Sequence, residues 1–171
     1  MQSKHPDDIE KNRKLLAPND VALCLITLLD RNNEELAKAV EALDRDLVLK
    51  ILREALYLRI FAVDYGTSAA LGRGQLRVAV LDAFLAFFQQ AEADGAFEAG
   101  SYRNYCERVS TYCVAMPPGN AGDVLLEIGR RFCTSCGIAN NLRFAWLAAM
   151  QFGGVQKAAR EFIESYKIEA S

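Results

Sequence analysis

The 171-residue chain is 51% apolar and 25% charged, a composition that fills a core and lies far from that of disordered proteins. Its 20 basic and 22 acidic side chains are mixed along the sequence to a net charge of −2, which leaves no single-sign block for a phosphate backbone and argues against nucleic acid as a partner. The early apolar run Val21 to Leu29 is far short of the ~20 residues a spanning helix needs, so no membrane segment is expected.

The polar leader, residues 1–17, carries Lys4, Asp7, Asp8, Glu10 and Lys11 and lacks the basic-then-apolar order of a signal peptide. It is expected to be mobile or partly helical, with residues 18–171 forming one helical domain. Five cysteines, an odd number in a chain large enough to fold without bridges, point to free thiols and a cytoplasmic location.

Strand signals are nearly absent, and the periodicity is helical. Pro18-Asn19-Asp20 opens a first helix whose stripe is Val21, Cys24, Leu25 and Leu28, ending at Asp30 to Asn33. Leu36, Ala39, Val40 and Leu43 mark a second. Asp44 or Asp46 caps a third, running to about Tyr65 and possible as a continuation of the second. Gly66, Gly72 and Gly74 punctuate a loop before a fourth helix, Gln75 to Ala93, which Asp94-Gly95 closes. Ser101 and Asn104 open a fifth, stopped by Pro117-Pro118-Gly119. A sixth runs from Asn120 or Asp123 to about Gly137. Asn140 or Asn141 caps a seventh reaching Gln151, and Gly153-Gly154 breaks it from a final helix ending near Lys167. The expected fold is an all-α, single-domain bundle of seven to eight helices around a central, largely buried helix at residues 46–65.

On a helical wheel that third helix places Leu47, Ile51, Leu58 and Phe61 on one face and Leu49, Leu52, Leu56, Ile60 and Val63 on another. Only a narrow polar strip remains, made of Lys50, Arg53, Tyr57 and Asp64. Arg59 points with Val48, Leu52 and Leu56, Glu54 falls between Leu47 and Phe61, and Arg77 of the fourth helix points with Phe84 and Phe88. A buried guanidinium needs a carboxylate or helix-end carbonyls, with Glu54, Asp64 and Asp82 as local candidates. Three readings stand side by side: an internal ion pair or a stem snorkelling at a boundary, an oligomer interface, or an anionic ligand held in an interhelical pocket by Arg59 or Arg77 with Tyr57, Tyr65 and Glu54.

Cys133-Thr134-Ser135-Cys136 is a CxxC, but it ends a helix, where the dipole favours thiol over thiolate; a new helix starting at Thr134 or Ser135 would reverse that. Cys106 and Cys113, seven residues apart on the fifth helix, are ~10 Å apart, too far to share a metal or bond each other. With His5 as the single histidine, neither zinc nor a histidine-based nucleophile is expected, and no Glu-x-x-His pair exists for a di-iron site. The fifth helix also aligns Tyr102, Tyr105, Cys106, Val109, Tyr112, Cys113 and Met116, an apolar stripe with three hydroxyls that suits a core, an interface or a pocket. Gly72-Arg73-Gly74 and Gly119-Asn120-Ala121-Gly122 follow no strand and lack a Walker lysine, so they read as turns.

No cofactor, metal or catalytic set is expected. The leading expectation is a non-catalytic module that self-associates as a homo-oligomer or binds a protein partner. Its alternatives are a small-molecule binding protein or enzyme using the pocket near Arg59 and Arg77, and a thiol redox or sensor protein using Cys133 and Cys136.

Overall fold

A computed structural model describes residues 14–30, 34–114 and 121–169. Among them lie β1 (Leu15–Leu16), α1 (Pro18–Ile26), α2 (Glu34–Val40), α3 (Arg45–Leu71), α4 (Gln75–Ala93), α5 (Ser101–Val114), α6 (Ala121–Cys136), α7 (Leu142–Glu164) and β2 (Lys167–Ile168). This is the expected all-α bundle, with no helix among the described residues long and apolar enough to cross a membrane.

Helix ends follow local chemistry. The Asp44 side chain accepts from the Leu47 amide at 2.9 Å and starts α3, separate from α2. Asn141 accepts from Phe144 N at 3.2 Å and starts α7. Gly95 and Gly137 adopt φ of 79° and 78°, the left-handed conformation that lets a following amide reach back to an orphan helix carbonyl. At the end of α6, Ile138 N donates to Cys133 O at 2.9 Å and Gly137 N to Thr134 O at 3.0 Å.

α3 packs chiefly against α7, α7 also against α6, and α1 against α4. Two expected breaks are overridden by that packing. Gly66 lies inside α3 rather than in a loop, because α7 crosses there: a Cβ on it would collide with the Gln156 carbonyl and stand 3.0 Å from Ala159 Cβ. Gly153-Gly154 lies inside a continuous α7, so there are seven described helices and no eighth. Two helical glycines cost roughly 2 kcal/mol relative to alanine, whereas burying Val155 and Ile163 beyond the pair contributes on the order of 1.5–3 kcal/mol each.

Burial also corrects the third-helix wheel. Ile51, Leu58, Ile60, Phe61 and Val63 are buried, but Leu49 and Leu52 are exposed, since the first turns of α3 are covered on one side only. Tyr57, assigned to the polar strip, is buried because α5 lies against that strip. In α1 Ala22 rather than Cys24 completes the buried stripe. The leader is tied down at its end: Lys167 N donates to Lys14 O at 3.1 Å and Glu169 N to Leu16 O at 3.0 Å, a minimal parallel bridge between β1 and β2. His5, Met116 and the Pro117-Pro118-Gly119 stop lie outside the described residues.

Candidate functional site

Lys50, Arg53, Glu54 and Tyr57 follow i, i+3, i+4, i+7 spacing, so they share one face of α3. α5 crosses that face. Glu54, only 4% exposed, accepts from the Tyr112 hydroxyl at 2.7 Å on Oε1 and from Arg108 Nε at 3.1 Å on Oε2. Burial first, and then the charge of Glu54, push the Tyr112 hydroxyl well above its ordinary pKa and keep it a donor. Around this centre the two helices leave a polar cleft of about 240 Å³, bordered also by Asn104 and Ser135.

Replacing Glu54 by leucine separates the contributions. Arg108 is 41% exposed along its side chain and can turn to water, whereas Tyr112 is fully buried and its hydroxyl loses its acceptor. Glu54→Leu is expected to cost about 2 kcal/mol in urea unfolding, the order of a stranded buried donor. Adding Tyr112→Phe should recover most of it; strictly additive losses would show that the pair is not coupled.

The other candidate residues lie elsewhere. Arg77 reaches back across the α3–α4 turn, donating from Nε to Ser68 Oγ at 2.6 Å with its Nη2 3.8 Å from Asp64. Burial raises the Asp64 pKa, opposed by the Ser68 hydrogen bond and by Arg77. This cluster borders an open groove of about 730 Å³ along the first turns of α4, with Asp82 at its edge and exposed. Arg59 is half-buried; desolvation lowers its pKa against the attraction of Asp30, a carboxylate from the turn after α1 that local spacing does not suggest. Tyr65 joins an aromatic cluster, 6.5 Å from Phe61 and 5.8 Å from Phe152 between ring centres, away from the cleft. Of the five pocket candidates, Glu54 and Tyr57 come together at one cavity among the described residues. Lys50 and Arg108 complete it, and Arg108 was legible only as one more charge on an amphipathic helix.

Cys133 and Cys136 end α6 and are buried, each 1% exposed. α7 begins only at Leu142, so no helix N-terminus favours their thiolates. Burial pushes Cys133 up to about 11; burial, followed by the charges of Glu54 and Cys133, pushes Cys136 up to about 12. Cys106 and Cys113 are exposed, and no group of three potential metal ligands forms among the described residues. From the ordinary thiol value of 9.0, the unfolded chain releases these protons before the folded one, so stability falls as pH rises. Between about pH 9 and 11 the loss should be roughly 1.4 kcal/mol per pH unit for each thiol. Denaturation midpoints across that window check this, and Cys133→Ala with Cys136→Ala should flatten the profile.

A feature that the sequence reading did not single out stands on α7. Leu142, Trp146 and Met150, at four-residue spacing, are 69%, 58% and 55% exposed. Gly154, one turn further, is also exposed, and a Cβ on it would meet nothing within 4 Å. The available signal was that residues 144–150 are apolar on every side of the helix, more than a helix covered on one side needs. The chain matches no known family, and no curated protein or solved structure is detectably similar to it.

Proposed function

We propose that the protein is a self-associating helical module whose copies pair through α7. The observation that carries this reading is the exposed ridge Leu142-Trp146-Met150 followed by the open position Gly154. Two copies of α7 placed antiparallel, with Met150 on the two-fold axis, set Trp146 of each copy against the other's Gly154. Both lie four residues from the axis, on opposite sides. Leu142 then faces Ala158. A large side chain thus meets the one position on the ridge that has no side chain, and the surface is self-complementary as a two-fold interface requires.

Among the described residues nothing near Gly154 calls for glycine, while it costs helix stability by roughly 1 kcal/mol and permits close approach from outside. At the rim Arg143 comes level with the partner's Lys157, which Glu161 offsets at 3.7 Å within the same chain. Aromatic and methionine side chains are enriched at the centres of such interfaces.

Light scattering on size-exclusion fractions across a range of concentrations tests the reading. A dimer that dissociates on dilution is expected, with the fluorescence of the single tryptophan shifting to the red as it does so. A monomer at every concentration, with unchanging emission, would overturn it.

A further inference from the structure

The cleft between α3 and α5 is polar, and its charges are unequally satisfied. Both oxygens of Glu54 are occupied, by Tyr112 and Arg108. Glu107 at the rim is drawn to Arg103 at 3.4 Å, and Arg53 is held by Glu98 outside the cleft. Lys50 is different. It makes no ion pair among the described residues, and its ammonium stands beside Gly137, 3.3 Å from where a Cβ on that glycine would lie. Its charge is also felt at Cys136, and it lines the cleft together with Ser135 of α6. Tyr57 borders the same cleft at 2% exposure, and its hydroxyl has no hydrogen-bond partner among the described residues. A buried hydroxyl without a partner is costly in a protein interior, so its persistence calls for an acceptor that the described residues do not supply.

We propose that this cleft binds a small oxyanion, with a phosphate group as the chemical class. Lys50 supplies the uncompensated positive charge, the outer edge of Arg108 adds a second, and the Tyr57 hydroxyl and the Asn104 amide donate hydrogen bonds. Three cations, Lys50, Arg53 and Arg108, border the cavity against two carboxylates, Glu54 and Glu107, so its balance is positive by one. The volume of about 240 Å³ compares with roughly 30 Å³ for one water. It admits a phosphate group with a few waters. The site is independent of the α7 ridge, so its failure leaves the proposed self-association untouched.

Calorimetric titration of the full chain with inorganic phosphate, against chloride at matched ionic strength, reads this directly. Saturable binding is expected for phosphate alone, together with a Tm that rises with phosphate concentration. Lys50→Met should weaken binding about tenfold or more, the usual scale for removing a charged partner. Tyr57→Phe should weaken it several-fold without lowering the Tm of the phosphate-free protein, because the hydroxyl it removes satisfies nothing in the fold. This second variant decides the matter should Lys50→Met fold poorly. Absence of saturable binding would overturn the proposal, as would affinity unchanged in Tyr57→Phe, the result of an adventitious ion only.

Discussion

Gly129→Ala is expected to destabilise the fold by about 2–3 kcal/mol, and Gly154→Ala to stabilise it by up to about 1 kcal/mol, although both glycines sit within helices. At Gly129 a Cβ would overlap the Ala145 carbonyl oxygen and lie 2.7 Å from the Ala145 carbonyl carbon. Both atoms are backbone and cannot rotate aside, so α6 and α7 must separate along a seam that buries Ile128, Phe132, Ala145 and Ala148. Overpacking of this kind costs roughly 1–3 kcal/mol and sometimes more, and the better helix propensity of alanine returns only about 1 kcal/mol. At Gly154 nothing lies within reach of the added methyl, so the propensity gain stands alone. Thermal unfolding of dilute protein measures both. At about 2–4 °C per kcal/mol for a chain of this size, the two midpoints should move in opposite directions and differ by roughly 4–16 °C. Equal midpoints would mean that α6 and α7 do not approach as closely as Gly129 implies.

Trp146→Ala should weaken self-association at least 100-fold while leaving the monomer nearly as stable as before. An aromatic side chain offers roughly 150–250 Å², and Trp146 leaves 58% of its surface uncovered, so about 100 Å² remains for a partner. At ~25 cal/mol per Å² that area corresponds to about 2–3 kcal/mol, and a two-fold interface uses it twice. Even allowing for non-additivity, the loss exceeds the roughly 2.7 kcal/mol that separates a hundredfold change in Kd. Sedimentation equilibrium of the variant gives the number. Gly154→Gln should weaken pairing as well, by filling the position that Trp146 would cover. A dimer that survives both substitutions with unchanged affinity rules out α7 as its seam.

These expectations divide the same helices into parts that local sequence governs and parts that it does not. Asp44 and Asn141 as caps, and Gly95 and Gly137 as closing residues, were legible because capping and left-handed closure involve atoms within about five residues of one another. The all-α class and the burial of the middle of α3 were legible for a related reason: apolar spacing at the helical period reports which side of a helix needs cover. The CxxC at the end of α6 was placed correctly against the helix dipole on the same local grounds.

What covers each side is a different question, and the sequence by itself does not answer it. Glu54 finds Arg108 and Tyr112 at separations of 54 and 58 residues, and Arg59 feels Asp30, 29 positions earlier in the turn after α1. Gly66 and Gly153-Gly154 resemble breaks wherever propensity is read alone; they continue as helix because burial along α3 and α7 outweighs the cost of about 1 kcal/mol per glycine. Tyr57 was placed with the polar residues by its wheel angle and is buried by the arrival of α5. Trp146, on a segment apolar all round, was indistinguishable in sequence from its buried neighbours Ala145 and Leu147, and only the side from which α3 and α6 pack against α7 decides that it is left uncovered. Helix identity and helix ends are short-range properties of this chain. The choice of partner for each buried charge, and the side of α7 left bare, arise only when distant segments meet, since burial is a property of neighbours and not of the residue.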